Sequence, residues 1–183
     1  MILRHTYTRS RDRARAALRY YETRPRGDDE PSRAIFTATG TATRAEAYRL
    51  LDAHQTTRYL AHRLMLSPSR AERPEDLQEF TRYVLRELEK EKGLALHWVA
   101  VEHRNTDHPH VHVVLCGGGG TGYVSLENVR LNRADHARIK DDGITYCRME
   151  ERDREWWAGA LMRATADDRE RGATRDGWDS PAR

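Results

Sequence analysis

The run Asp107-His108-Pro109-His110-Val111-His112-Val113-Val114-Leu115 sets two imidazoles in an otherwise apolar, β-branched stretch, so residues 110–115 read as a buried strand. Side chains alternate between the faces of a strand, which puts His110 and His112 on the same face. An earlier run, Leu94-Ala95-Leu96-His97-Trp98-Val99-Ala100-Val101, also reads as a strand and is closed by His103. Between the two lies a short turn signal, Asn105-Thr106-Asp107. A hairpin of that size brings the end of one strand beside the start of the next, and three imidazoles converge on one patch of sheet.

Two histidines on one strand have a plain explanation, with one satisfied in the core and one exposed. A third at the mouth of the hairpin shifts the balance towards a metal centre, because three imidazoles hold an ion and leave positions open for substrate. The donor set alone admits Zn, Mn, Fe, Ni or Cu, whereas Mg usually prefers carboxylates and water.

The remaining composition narrows the setting. With 183 residues, the chain is long enough for one domain with a sizeable core. No apolar run approaches a membrane span, no signal peptide is visible, and two cysteines make no disulfide framework, so a cytoplasmic protein is expected. The net charge of +3 is unevenly distributed. Residues 1–26 hold Arg4, Arg9, Arg11, Arg13, Arg15, Arg19, Arg24 and Arg26 against Asp12 and Glu22, a local excess suited to a phosphate backbone or to a solvated helix face.

Strands and helices alternate along the chain. Residues 2–8 read as a strand, and Ser10 caps a helix over about 11–23 that Pro25 and Gly27 stop. The loop Asp28-Asp29-Glu30-Pro31 precedes a short strand near Ala34–Thr37, and Thr43-Arg44-Ala45-Glu46 is a capping box for a helix to about His54. Tyr59–Leu66 alternates as a strand, with Leu60, Leu64 and Leu66 opposite Tyr59 and Arg63. Pro74 at a first helical position, Glu75 and Asp76 in the first turn and Gly93 past the end bracket a helix burying Leu77, Phe80, Val84 and Leu88. Gly117–Gly120 and Gly122 read as a flexible connection; without a following Lys-Ser/Thr they form no P-loop. Beyond it, Tyr123–Leu126 and Val129–Leu131 read as short strands and Asn132 as a helix cap. Residues 148–163 read as a partly buried helix containing Trp156 and Trp157. The expected division is a domain over 1–163 and a polar tail over 164–183.

Two tyrosines in the Arg-rich helix are nucleophile candidates. Ala14, Ala17, Leu18 and Tyr21 follow a buried helical stripe, which makes Tyr21 a core residue and leaves Tyr20 flanking it beside Arg13 and Ala16. With His-hydrophobe-His on a strand, a third His upstream and an N-terminal helical Tyr, residues 2–150 resemble the HUH endonucleases, most closely conjugative relaxases of the mobilisation type. The stretches that carry the resemblance are Ala17-Leu18-Arg19-Tyr20, Tyr59–Pro68, Trp98–His103 and Asn105–Leu115.

The resemblance implies an α/β fold, with an antiparallel sheet of about five strands, helices packed on one face, and the metal and DNA site on the other. His103, His110 and His112 match the family's metal ligands and Tyr20 its nicking tyrosine, with Asp107 in a position to orient a ligand imidazole or a nearby Arg. Mn²⁺ or Mg²⁺ is the implied cofactor. The implied partner is single-stranded DNA at an origin of transfer or replication, together with accessory relaxosome proteins. Phosphate contacts are expected from Arg11, Arg13, Arg15, Arg19, Arg24 and Arg63. The implied reaction is strand-specific nicking through a 5′-phosphotyrosyl intermediate. A rolling-circle initiator or single-tyrosine transposase would instead use a later tyrosine such as Tyr146, 34 residues after His112 and near Lys140. A non-catalytic DNA-binding module would use none.

Overall fold

The computed structural model describes residues 1–24, 33–53, 60–69, 74–104, 107–119 and 129–175, with side chains described as far as 159. Pro25, Gly27, the Asp28–Pro31 loop, Tyr59, the Asn105-Thr106 turn and the Tyr123–Leu126 strand lie outside the described residues. The elements run β1 (Ile2–Thr8), α1 (Arg11–Thr23), β2 (Ile35–Phe36), β3 (Thr41–Ala42), α2 (Arg44–Asp52), β4 (Ala61–Ser67), α3 (Leu77–Lys92), β5 (Ala95–His103), β6 (His110–Gly119) and α4 (Arg133–Arg175). The chain divides into two compact units, Met1–Cys147 and Arg148–Arg183.

Sheet order is β1-β4-β6-β5-β2-β3 with antiparallel pairing throughout, an α/β fold with six strands where about five are expected. The additional strand, β3, is two residues long, too short for period-2 alternation to reveal. Helices also flank both faces and not one. Leu64, Leu66, Val111, Val113 and Leu115 pack with Leu77, Phe80, Val84, Leu85 and Leu88 of α3 and Ile139 of α4. On the other face, Val99, Val101, Val114 and Cys116 pack with Ala14 and Leu18 of α1 and Ala47 and Leu51 of α2. The triad shares that second face, where α1 reaches it through Tyr21.

The local signals act through identifiable bonds. Ser10 Oγ accepts from the Arg13 N–H at 3.3 Å, starting α1. Thr43 and Glu46 complete the capping box of α2. Helix α3 begins later than the sequence suggests. Asp76 is its cap, accepting from Gln78 N–H at 2.7 Å and Glu79 N–H at 3.0 Å, which leaves Pro74 and Glu75 ahead of the helix. Its end is Gly93, at φ 64°, a left-handed conformation that favours glycine. Asn132 caps α4, its Oδ1 accepting from Asp135 N–H at 3.0 Å, while Val129–Leu131 is not a strand.

Three further expectations change. Gly117–Gly119 belong to β6, opposite Ala95–His97. A Cβ at Gly118 would lie 2.2 Å from Leu94 Cδ1, 2.9 Å from Val129 Cγ2 and 3.0 Å from the Ala95 carbonyl, so close packing and not flexibility requires the residue. Trp156 and Trp157, expected to be partly buried, are exposed by 60% and 66%. Helix α4 continues through Arg175, past the start of the expected tail.

On the α3/α4 side, a second histidine cluster spans three elements. His136 Nε2 lies 2.8 Å from His5 Nδ1, His5 Nε2 lies 2.8 Å from His62 Nδ1, and His62 Nε2 lies 2.7 Å from the Val129 carbonyl. A carbonyl only accepts, so His62 carries its proton on Nε2 and accepts at Nδ1. The same logic assigns Nε2–H to His5 and His136, giving a directed chain of imidazoles.

Candidate active site

His103 of β5 and His110 of β6 are paired directly across the sheet, and His112 opposes Val101. The expected convergence is present. One ring nitrogen from each of His103, His110 and His112 lies within 4.8 Å of the others. Their ring centroids are 4.8–5.1 Å apart.

Main-chain carbonyls set the orientation of two of these rings. His110 Nδ1 donates to the His108 carbonyl at 2.8 Å, which puts the ring's lone pair on Nε2, the atom that faces His112. His103 Nε2 donates to the Tyr21 carbonyl at 2.7 Å, which presents Nδ1 as its ligand atom. At His103 and His110 the orienting partners are these carbonyls, and Asp107 is exposed on the turn. Sequence offered no signal for backbone partners of this kind.

The donor chemistry fits a divalent ion. His110 Nε2 and His112 Nε2 face each other at 3.2 Å. Two ligands bound to one ion at ~2.0–2.1 Å with tetrahedral angles lie about 3.3 Å apart. Burial pushes His103 down to about 4, aided by Arg33, His110 and Arg24 against the opposing Tyr21 carbonyl bond. Burial likewise pushes His112 down to about 3, with the other two imidazoles and then Arg24 and Arg33 adding to it. Both rings are therefore neutral near pH 7, the form that donates a lone pair. Arg33, which sequence patterning did not single out, donates to the Arg24 carbonyl at 3.1 Å and contributes to this field.

Helix α1 brings Tyr21 onto the triad, with Tyr20 beside it at 6.2 Å between ring centroids. Tyr21 stacks on His112, with ring centroids 4.0 Å apart and planes 1° from parallel. Tyr20 is 53% exposed, and the Arg24 guanidinium sits 5.6 Å from its ring centroid. Both line a cleft of about 650 Å³ with Tyr7, Arg9, Arg13 and Arg63. Of the anticipated phosphate contacts, Arg13 and Arg63 face this cleft. Arg24 lies beside Tyr20, Arg11 and Arg19 are exposed, and Arg15 is ion-paired with Asp52. Tyr7 and Arg9 are additions to the expected set.

Tyr146 lies elsewhere. It is helical and packs against Phe80 and Tyr83, at 5.8 Å and 5.2 Å between centroids, with the core on the sheet face opposite the triad. That geometry removes the observation favouring a rolling-circle or transposase tyrosine.

A His-hydrophobe-His strand with a third imidazole facing it defines the HUH class of nucleases. Residues 28–154 match the family described as Relaxase: MobA/VirD2-like, nuclease domain, and the chain belongs to that family. The matched stretch contains the histidine hairpin and begins after α1, so Tyr20 and Tyr21 lie outside it. Comparison with curated proteins and with solved structures gives no match. Among the described residues, no helix is long and apolar enough to cross a membrane.

Proposed function

We propose that this relaxase-type nuclease is a metal-dependent, site- and strand-specific nickase of single-stranded DNA, acting at an origin of transfer on a plasmid or mobile element with accessory relaxosome proteins. The observation that carries the reading is the 3.2 Å approach of His110 Nε2 and His112 Nε2 beside His103. His103, His110 and His112 would hold the ion, and three imidazoles suit Mn²⁺ better than Mg²⁺. When bound, the cation withdraws charge from the scissile phosphate.

The protein's own groups supply the rest. Arg9, Arg13 and Arg63 hold the backbone in the cleft, where Tyr7 offers a stacking surface for a base. Tyr20 is the nucleophile: its ring is accessible, and the Arg24 guanidinium beside it can meet the incoming phosphate. Its Oη forms a bond to phosphorus as the P–O3′ bond breaks; the phenolic proton is lost and the leaving oxygen ends as a 3′-OH. The phosphodiester is exchanged for a 5′-phosphotyrosyl ester, so attack by a 3′-OH can reseal DNA. Tyr21 is the rival nucleophile because of its place against His112.

A denaturing gel with labelled single-stranded origin oligonucleotides tests this. Wild type with Mn²⁺ should form a covalent adduct, Tyr20→Phe should form none, and Tyr21→Phe and Tyr146→Phe should retain it. An undiminished adduct after exhaustive chelation, or one formed by Tyr20→Phe, would overturn the assignment.

A further inference from the structure

Tyr21 engages the triad through two different groups. Its carbonyl accepts the His103 Nε2–H at 2.7 Å, and its ring covers His112 face to face at 4.0 Å. The first contact commits His103 to present Nδ1; the second opposes rotation of the His112 ring out of the plane that aims Nε2 at His110. Tyr21 is not an ordinary core tyrosine of α1. It packs partly buried against the core that holds Ala14 and Leu18, and it also lines the cleft with Arg63.

We propose that Tyr21 is the positioning residue of the metal centre, clamping two of its three ligands and tying cation binding to the placement of the helix that carries Tyr20. The proposal rests on the reading that the triad binds a divalent cation and that Tyr20 is the nucleophile. Tyr20 and Tyr21 are adjacent on α1, so a shift at one is passed to the other through a shared turn of helix. Coupling is reciprocal: a helix end that orders the ligands is itself ordered when the ion binds.

The test is Mn²⁺ affinity of the full chain, measured by calorimetry and by the loss of the free-ion paramagnetic resonance signal. Tyr21→Phe keeps the ring and should bind as wild type. Tyr21→Leu keeps apolar volume without a stacking plane and should bind about 10–100-fold more weakly, the range for removing a partner that orients a metal ligand. A second measurement needs no variant: Mn²⁺ should slow amide hydrogen exchange at residues 21–24 of the wild type. Wild-type affinity in Tyr21→Leu, or unchanged exchange in α1 on Mn²⁺ addition, would overturn the clamp. Failure of the wild type to bind Mn²⁺ would overturn the reading of the triad as a Mn²⁺ site along with the clamp. Loss of the DNA adduct in Tyr21→Phe with Mn²⁺ affinity intact would move the nucleophile to Tyr21 and leave the clamp standing.

Discussion

Acid should loosen this protein through the imidazole chain of His136, His5 and His62, on the opposite sheet face from the triad. Each bond needs a ring that donates at Nε2 and accepts at Nδ1. A proton added to His62 Nδ1 would face the His5 Nε2–H, and one added to His5 Nδ1 would face the His136 Nε2–H. Burial holds His5 down at about 4, reinforced by His62 and then His136, and burial lowers His62 despite its bond to Val129. Beyond His136 lies Asp135, paired with Lys92. For a depressed histidine, the stabilisation is complete above the unfolded value of 6.5 and is lost as pH falls towards the folded value near 4. Full linkage for His5 alone would cost about 2 kcal/mol at pH 5. Its ring is partly exposed, and solvent screening reduces the expected loss to about 1 kcal/mol. Neutral His103 and His112 add their own acid sensitivity, so the measurement is a difference. Urea unfolding of wild type and His5→Gln at pH 7.5 and 5.0 should show the variant losing about 1 kcal/mol less over that interval. Parallel stability curves for the two proteins would refute the directed chain.

Two further outcomes follow from packing and charge. Gly118→Ala should destabilise the fold by about 1–3 kcal/mol in urea, because the Ala95 carbonyl and Val129 cannot both yield to a Cβ as readily as the Leu94 side-chain tip; an unchanged midpoint would show that the β5–β6 end relaxes freely. Replacing Arg9, Arg13 and Arg63 together with Gln should flatten the salt dependence of single-stranded DNA binding by up to about three phosphates' worth, measured by fluorescence anisotropy. Equal slopes for mutant and wild type would remove the cleft from the binding surface.

How far the sequence could be read depended on the range of each interaction. Alternation over residues 110–115 and the position of His103 were enough to place three imidazoles together, because strand parity and a short hairpin leave few arrangements. The caps of α1 and α2 were equally legible, since their partners lie within one turn of helix. Contacts between distant segments were not. Period-3.6 patterning assigned Tyr21 to the core, and nothing in that pattern said that its ring would meet His112, 91 residues later. Glycines 117–119 resembled a loop because composition carries no record that Leu94 and Val129 close over Gly118. The imidazole chain joins positions 5, 62 and 136, each ordinary in its own strand or helix.

The same distinction explains how the site is built. The ligands come from two adjacent strands whose register is fixed by burial of Val111, Val113 and Leu115 on the opposite face, where a one-residue slip would turn those side chains away from the core. The geometry of the three imidazoles is therefore secured by the core beneath them. The proposed nucleophile sits on a helix joined to the histidine strands through Ala14 and Leu18 in the core and Tyr21 at the site. The proposed nicking and resealing of DNA would need the tyrosine held near the triad yet able to carry a bound strand. A helix anchored at its buried stripe and at one stacked ring, with Tyr20 on the open flank, meets both requirements.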